Sequence, residues 1–336
     1  MFINFFTSEV LIISLILVLN LFCYLYLKKI SKLLNLFDYP DEVRKLHKFK
    51  TPLLGGIFIY SSILLYILII PNITKLGYSY FYLYSFKSIF FLIFSFSSIF
   101  ILGYLDDKFT ISPDKKLVIL FLICYIYVIS DNTVRIEQIR LDFINLDIEI
   151  NKFSPIFTSI FIVTFIIFSN MFDGIDGQSS FFFIFTIFIL IFNNLVILNF
   201  LIFLIILLGI FFYFNIKSRI FLGDNGIFVI GFIISVLYLK TYNVYGTLSF
   251  DKLILISFFP LIDMIRVSLM RIFKGQNPMR PDTTHLHHII KHKKAKLIFI
   301  SLLTIYPLTI YSFLNNFILS IVSSLLLYFV IIFKRG

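Results

Sequence analysis

Apolar runs of roughly 17–25 residues, the length that crosses a hydrocarbon core of ~30 Å as a helix, follow one another along this 336-residue chain. In hydrocarbon the backbone must satisfy its own polar groups, so such runs fold as helices. With 60% hydrophobic and only 14% charged residues, a soluble domain of this size could not bury its apolar surface. The chain therefore reads as an all-α polytopic membrane protein, one integral domain over 1–336. Eleven spans, ten at the lower count, are expected near 6–27, 53–70, 86–105, 115–131, 155–171, 179–192, 195–215, 226–240, 252–270, 296–314 and 316–333. The first run is too long for a typical signal peptide and has no small-residue cleavage site, so it is expected to be retained. Cys23 and Cys124 lie inside apolar runs and read as small buried hydrophobes.

Alternating the loops from one side to the other sorts the Lys and Arg residues 21 against 7, with Arg266 left inside a span. The basic side is expected to be cytoplasmic, with the N-terminus outside and the C-terminus inside. The net charge of +11 is thus accounted for by topology and calls for no nucleic-acid partner. Residues 134–150, on the other side, alternate apolar and polar positions around Asn145, which predicts a small external β-hairpin.

Four polar islands interrupt the apolar runs, all on the basic side: GYLDDK (103–108), NMFDGIDG (170–177), FLGDNG (221–226) and HLHH (285–288). A carboxylate beside a membrane span costs about 2.5–3.5 kcal/mol on insertion scales, so repeated acids at such places imply a shared task. Binding a divalent cation is the simplest one. Asp106 and Asp107 point about 100° apart on a helix, so one can face a metal or phosphoryl group and the other a nearby lysine. Asn170 supplies a neutral oxygen near Asp173 and Asp176, whose following glycines permit close approach of a ligand. Asp224 lies between glycines at a helix start, as either an N-cap or a metal ligand. His287 and His288 have no cysteine partners for zinc; with Arg271, Arg280 and Asp282 nearby they suit a diphosphate. The segment 38–56 carries Lys45 and His47 beside Arg44, and reads equally as a lipid-facing basic patch or a phosphate contact.

Taken together and in this order, the motifs resemble those of the polyprenyl-phosphate N-acetylhexosamine-1-phosphate transferases. The resemblance covers nearly the whole chain: D-x-P, R-K-x-H and P-x-x-G-G within 38–56, the Asp-Asp pair, N-x-x-D-G-x-D-G, G-D-x-G and H-L-H-H. The Asp282-x-x-His form resembles the branch that starts O-antigen, enterobacterial common antigen or wall teichoic acid. Two departures are Asn225 and an added residue in DYPDEVRKLH.

The resemblance implies a Mg²⁺-dependent enzyme, with Mn²⁺ an acceptable substitute. It would move a sugar 1-phosphate, GlcNAc-1-phosphate by default, from a UDP-sugar to polyprenyl (undecaprenyl) phosphate and release UMP. It implies that Asn170 and Asp224 hold the metal and that Asp106 and Asp107 are catalytic. Asp173 and Asp176 would shape the nucleotide site; His287, His288, Lys116, Arg271, Arg280, Lys45 and His47 would bind substrate. The expected place is the cell (inner) membrane with the site on its cytoplasmic face; a homodimer stays open. The rival class, a cation-coupled transporter, would carry acids near the midplane and inverted repeats. Here the acids lie at helix ends on one side, and no repeat is visible.

Overall fold

A computed structural model describes residues 2–40, 50–73, 86–194, 196–278, 284–290 and 296–333, with backbone alone at 2–8 and 71–73. Every apolar run predicted to be helical is helical. The long helices are α1 (Phe2–Leu25), α3 (Gly55–Ile73), α4 (Phe86–Phe109), α5 (Pro113–Ser130), α6 (Ser154–Phe172) and α7 (Gln178–Asn193), then α8 (Leu198–Asn215), α9 (Gly223–Lys240), α10 (Phe250–Phe273), α12 (Lys296–Leu314) and α13 (Phe317–Phe333). Two short helices, α2 (Leu27–Leu34) and α11 (Leu286–Ile289), lie between them in chain order.

The span count differs from the expected eleven or ten. Among the described residues six helices are long and apolar enough to cross unaided, and the pair 9–25 and 27–34, bent by 77°, makes a seventh. Gly55–Ile70, Gln178–Asn193 and Phe317–Phe333 are apolar but shorter. Helix α5 opens with Asp114, Lys115 and Lys116, which dilute its apolar stretch. A 16-residue helix such as α7 reaches only ~24 Å, less than the ~30 Å core. It packs against α8, α9 and α12, so its ends meet protein as well as lipid.

Helix α9 is the axis of the molecule. Its best apolar window is 89% buried, against 22% for α12 at the periphery. Helices α3, α4, α6 and α7 pack around it. Small residues let the backbones approach: a Cβ on Gly56 of α3 would overlap Asn225, and one on Gly103 of α4 would overlap the Asn225 backbone. On α6, Ile166 lies against Gly231. These contacts anchor the start of α9, and Gly55 and Gly56 donate their backbone N–H groups to the Phe221 and Leu222 carbonyls just before it, each at 3.0 Å.

Strands β3 (Gln138–Leu141) and β4 (Leu146–Glu149) pair antiparallel about Asn145, whose φ is 50°, as the alternation predicts. This hairpin sits at the far end of α9, where the Tyr242 hydroxyl donates to the Gln138 carbonyl and accepts from Arg140 N, both at 2.8 Å. There Lys240 pairs with Asp131 at 2.8 Å, both side chains buried. A second ladder, β1 (Phe37–Asp38) with β2 (Thr51–Pro52), is too short to show in the sequence. It carries the chain toward the site, since Phe221 N donates to the Pro52 carbonyl at 2.9 Å.

Candidate active site

The end of α4 meets the start of α9, and the Asp-Asp pair divides there. Asp106 turns to Lys116 of α5, whose Nζ donates to its Oδ2 at 2.7 Å, while Ile111 N donates to its Oδ1 at 2.7 Å. The same ammonium donates to Asp224 Oδ2 at 2.8 Å and lies over the Phe228 ring, 5.5 Å from its centroid. Asp107 turns the other way, onto the first amides of α9. It accepts from Asp224 N at 2.8 Å, Asn225 N at 3.2 Å and Asn225 Nδ2 at 2.6 Å. The orphan N–H groups of a helix start favour such an anion. Gly223 makes the approach feasible: its φ is +73°, and a Cβ there would stand 2.6 Å from Asp107 Oδ2.

The second cluster forms where α6 ends and α7 begins. Asp173 follows α6 and hydrogen-bonds with Ser179; burial raises its carboxyl pKa to about 6, and the neighbouring Asp176 adds to the rise. Asp176 hydrogen-bonds with Ser218. Gly177 N donates to Asn215 Oδ1 at 2.6 Å, and Asn215 Nδ2 donates to the Ile220 carbonyl at 2.9 Å, tying this loop to the one before α9. His287 lies on the loop so closely that a Cβ on Gly174 would overlap its ring. Burial holds the His287 pKa down to about 3, with the adjacent His288 pushing the same way. A neutral His287 offers one N–H to an anion rather than a full charge.

The HLHH segment is fastened from beneath. Asp263 of α10 accepts from His285 Nδ1 at 2.9 Å and from Leu286 N at 3.2 Å. Arg266 and Tyr328 also donate to Asp263, at 2.9 and 2.7 Å. Arg271 donates to the Pro278 carbonyl and lies 3.3 Å from His285 Nε2, so it is buried as a loop brace. At the rim, Asn277 donates to Asp114 at 3.0 Å, linking this segment to the start of α5.

All four polar islands therefore gather at one end of the bundle, in two clusters. Asp106, Lys116 and Asp224 form one, with Asp107 behind them; Asp173, Asp176 and His287 form the other, with His288 beside His287. From the Ile166–Gly231 contact, Asn170 lies about one turn toward this end on α6, and Asp224 about two turns on α9. No hydrogen bond joins Asn170 to Asp224. Lys45, His47 and Arg280, with Arg44 and Asp282, lie outside the described residues.

Sequence reading passed over Asp263, His285 and Asn215. Asp263 and Arg266 had a visible signal: an acid and a base three residues apart inside an apolar run. Asn225 was read as a departure, without its grip on Asp107.

The donors at the first cluster are hard oxygens, the Asp106 and Asp224 carboxylates, and Asn170 offers an amide oxygen at the same end of the bundle, on α6. Among the described residues no three His, Cys, Asp or Glu side chains group to enclose an ion. A site of one or two carboxylates suits Mg²⁺, which keeps several waters and is completed by substrate phosphates.

Fold and site together define a polytopic helical membrane protein with a lysine-bridged acidic site at its basic end. Comparison with known proteins places it further. The family model described as glycosyl transferase family 4 matches residues 89–242, which include Asp106, Asp107, Lys116, Asn170, Asp173, Asp176 and Asp224. An undecaprenyl-phosphate alpha-N-acetylglucosaminyl 1-phosphate transferase of Escherichia coli O157:H7 is 29% identical over 298 residues, covering 85% of this chain and 77% of that protein. A protein of the same name from Haemophilus influenzae is 28% identical over 281 residues, 79% of this chain and 74% of its own. One from Pasteurella multocida is 40% identical over 75 residues, 22% and 21% of the two chains. Over residues 89–242 the chain is thus similar to glycosyl transferase family 4, and over most of its length it is similar to undecaprenyl-phosphate alpha-N-acetylglucosaminyl 1-phosphate transferases.

Proposed function

We propose that this protein transfers N-acetylglucosamine 1-phosphate from UDP-GlcNAc to undecaprenyl phosphate at the cytoplasmic face of the cell membrane, in a Mg²⁺-dependent reaction. An oxygen of the lipid phosphate bonds to the β-phosphorus of the UDP-sugar. The bond from that phosphorus to the bridging oxygen breaks, and the bridging oxygen leaves on UMP. The product is a lipid-diphosphate-sugar, the first membrane-bound step toward a surface polysaccharide such as O-antigen. The names of the relatives support the lipid acceptor and the transferred sugar phosphate.

The observation that carries the reading is Lys116 held between Asp106 and Asp224 at 2.7 and 2.8 Å, at the end where the helices meet the aqueous loops. Two negatively charged reactants must meet, and charge stabilisation with alignment supplies most of the catalysis of phosphoryl transfer. Lys116 brings a fixed positive charge to that meeting point. Asp106 and Asp224, with Asn170, would hold Mg²⁺, which when bound supplies further neutralisation of the diphosphate. Asp107 keeps Asp224 in place through the amides at the head of α9. The second cluster would receive the nucleotide, with His287 donating a neutral N–H. The lipid tail stays in the bilayer, so its phosphate reaches only this level.

A phosphate monoester has its second pKa near 6, so the acceptor is largely dianionic at neutral pH and needs little base catalysis. Both Asp106 oxygens already accept hydrogen bonds, and Asp107 accepts three. These bonds hold both carboxylates in place, so each acts here through charge and position, and the transfer is read as direct. The test is formation of the lipid-diphosphate product by purified protein given undecaprenyl phosphate, Mg²⁺ and a panel of UDP-sugars. UDP-GlcNAc should give the product fastest; another UDP-sugar doing so would reassign the donor, and no product from any would end the reading.

A further inference from the structure

We propose that Asp263 is a positioning residue that sets the nucleotide half of the site by orienting His285 and, through it, His287; this rests on the transferase reading above. Asp263 lies in the 24-residue helix α10 and is only 2% exposed. A buried carboxylate persists in such a place only when its lone pairs are well used. A plain structural ion pair would need Arg266 alone. Here two further donors, His285 Nδ1 and Leu286 N, come from the HLHH segment itself.

The hydrogen bonds fix one tautomer. Arg271 can only donate, so His285 Nε2 accepts from it at 3.3 Å and the Nδ1–H faces Asp263. The His285 and His287 rings are then parallel within 2°, their centroids 5.7 Å apart, and His287 rests on Gly174 between Asp173 and Asp176. Asp263, His285, His287 and Gly174 thus form one mechanical line from α10 to the acidic loop. Tyr328 also bonds Asp263, but at Oδ1 rather than the Oδ2 that His285 holds, so it serves as a control.

Kinetics on the full-length protein in lipid nanodiscs test this. Asp263→Asn should raise KM for UDP-GlcNAc about tenfold and leave KM for undecaprenyl phosphate within about twofold. His285→Asn, whose amide N–H can replace Nδ1–H, should stay within about threefold of wild type, while His285→Gln should behave as Asp263→Asn does. Tyr328→Phe should lower thermal stability without moving either KM. A merely structural Asp263 would reduce the amount of active protein and leave KM alone. Hydrogen exchange at 174–178 reads the same coupling without turnover: it should quicken in Asp263→Asn and His285→Gln but not in Tyr328→Phe. Should Asp263→Asn fail to fold, His285→Gln carries both measurements. Unchanged KM for UDP-GlcNAc, an equal rise for both substrates, or unchanged exchange at 174–178 overturns the proposal. Absence of turnover in wild type counts against the transferase reading alone, because the exchange result stands apart from it.

Discussion

Neighbouring side chains on a helix diverge by about 100°, and at the end of α4 that divergence sends Asp106 to Lys116 and Asp107 to the amides of α9. The two should therefore fail differently. Asp106→Asn should cut turnover at least about 100-fold while leaving thermal stability nearly unchanged. Asp107→Ala removes a helix-start anion and should cost about 1–2 kcal/mol of stability along with activity, measured by thermal unfolding in detergent. The divergence was legible in the sequence, but the assignment of each aspartate was not, because it depends on where α5 and α9 place Lys116 and Asn225.

His287 and Asp173 give opposite pH signatures. The folded pKa of His287 is lowered to about 3 from 6.5, so its contribution to stability is complete above pH 6.5 and lost as pH falls toward 3. The folded pKa of Asp173 is raised to about 6 from 3.8, so its penalty is absent below pH 3.8 and grows as pH rises through 6. Melting temperatures taken across that range should show His287→Gln losing acid sensitivity and Asp173→Asn losing the alkaline-side penalty. Neither shift could be read from sequence, since both arise from burial that the packed loops create.

Among the elements, α9 runs from the site to the opposite end of the molecule. Its head carries Asp224 and Asn225, and its tail carries Lys240, paired with Asp131 and donating to Thr133 Oγ1 at 2.8 Å. Breaking a buried pair leaves an uncompensated charge, at about 3–5 kcal/mol. Lys240→Met should therefore lower the unfolding temperature by many degrees. At a temperature where the variant is folded, its KM for UDP-GlcNAc should be unaltered, because the pair lies at the end of α9 away from the site. The helices were legible because run length alone decides them in a bilayer, and the hairpin because period-two alternation flanks Asn145. The 77° bend between α1 and α2 and the shortness of α7 were not, since neighbouring helices set where a chain turns. The clamp on HLHH was half legible: Asp263 and Arg266 stand out inside an apolar run, but their partners in the segment, His285 for Asp263 and the Thr284 carbonyl for Arg266, are 22 and 18 residues away.

For the whole molecule, the arrangement joins a lipid-embedded bundle to an aqueous anion-handling site at one end. Exposed Leu11, Val18, Leu302 and Phe329 face outward as bilayer contacts, while charged groups of α4, α5 and α9 meet at the basic end. Positive charge sorted by topology and acids sorted by chemistry fall on the same side, which is what a reaction between a membrane-bound phosphate and a soluble nucleotide requires. The most direct measurement is UMP release by nanodisc-embedded protein given UDP-GlcNAc, undecaprenyl phosphate and Mg²⁺, compared among wild type, Lys116→Met and Asp224→Asn. Wild type should release UMP only when both substrates are present, and each variant should lose at least about 100-fold while still unfolding cooperatively. Release by the two folded variants at rates near that of wild type would contradict the account.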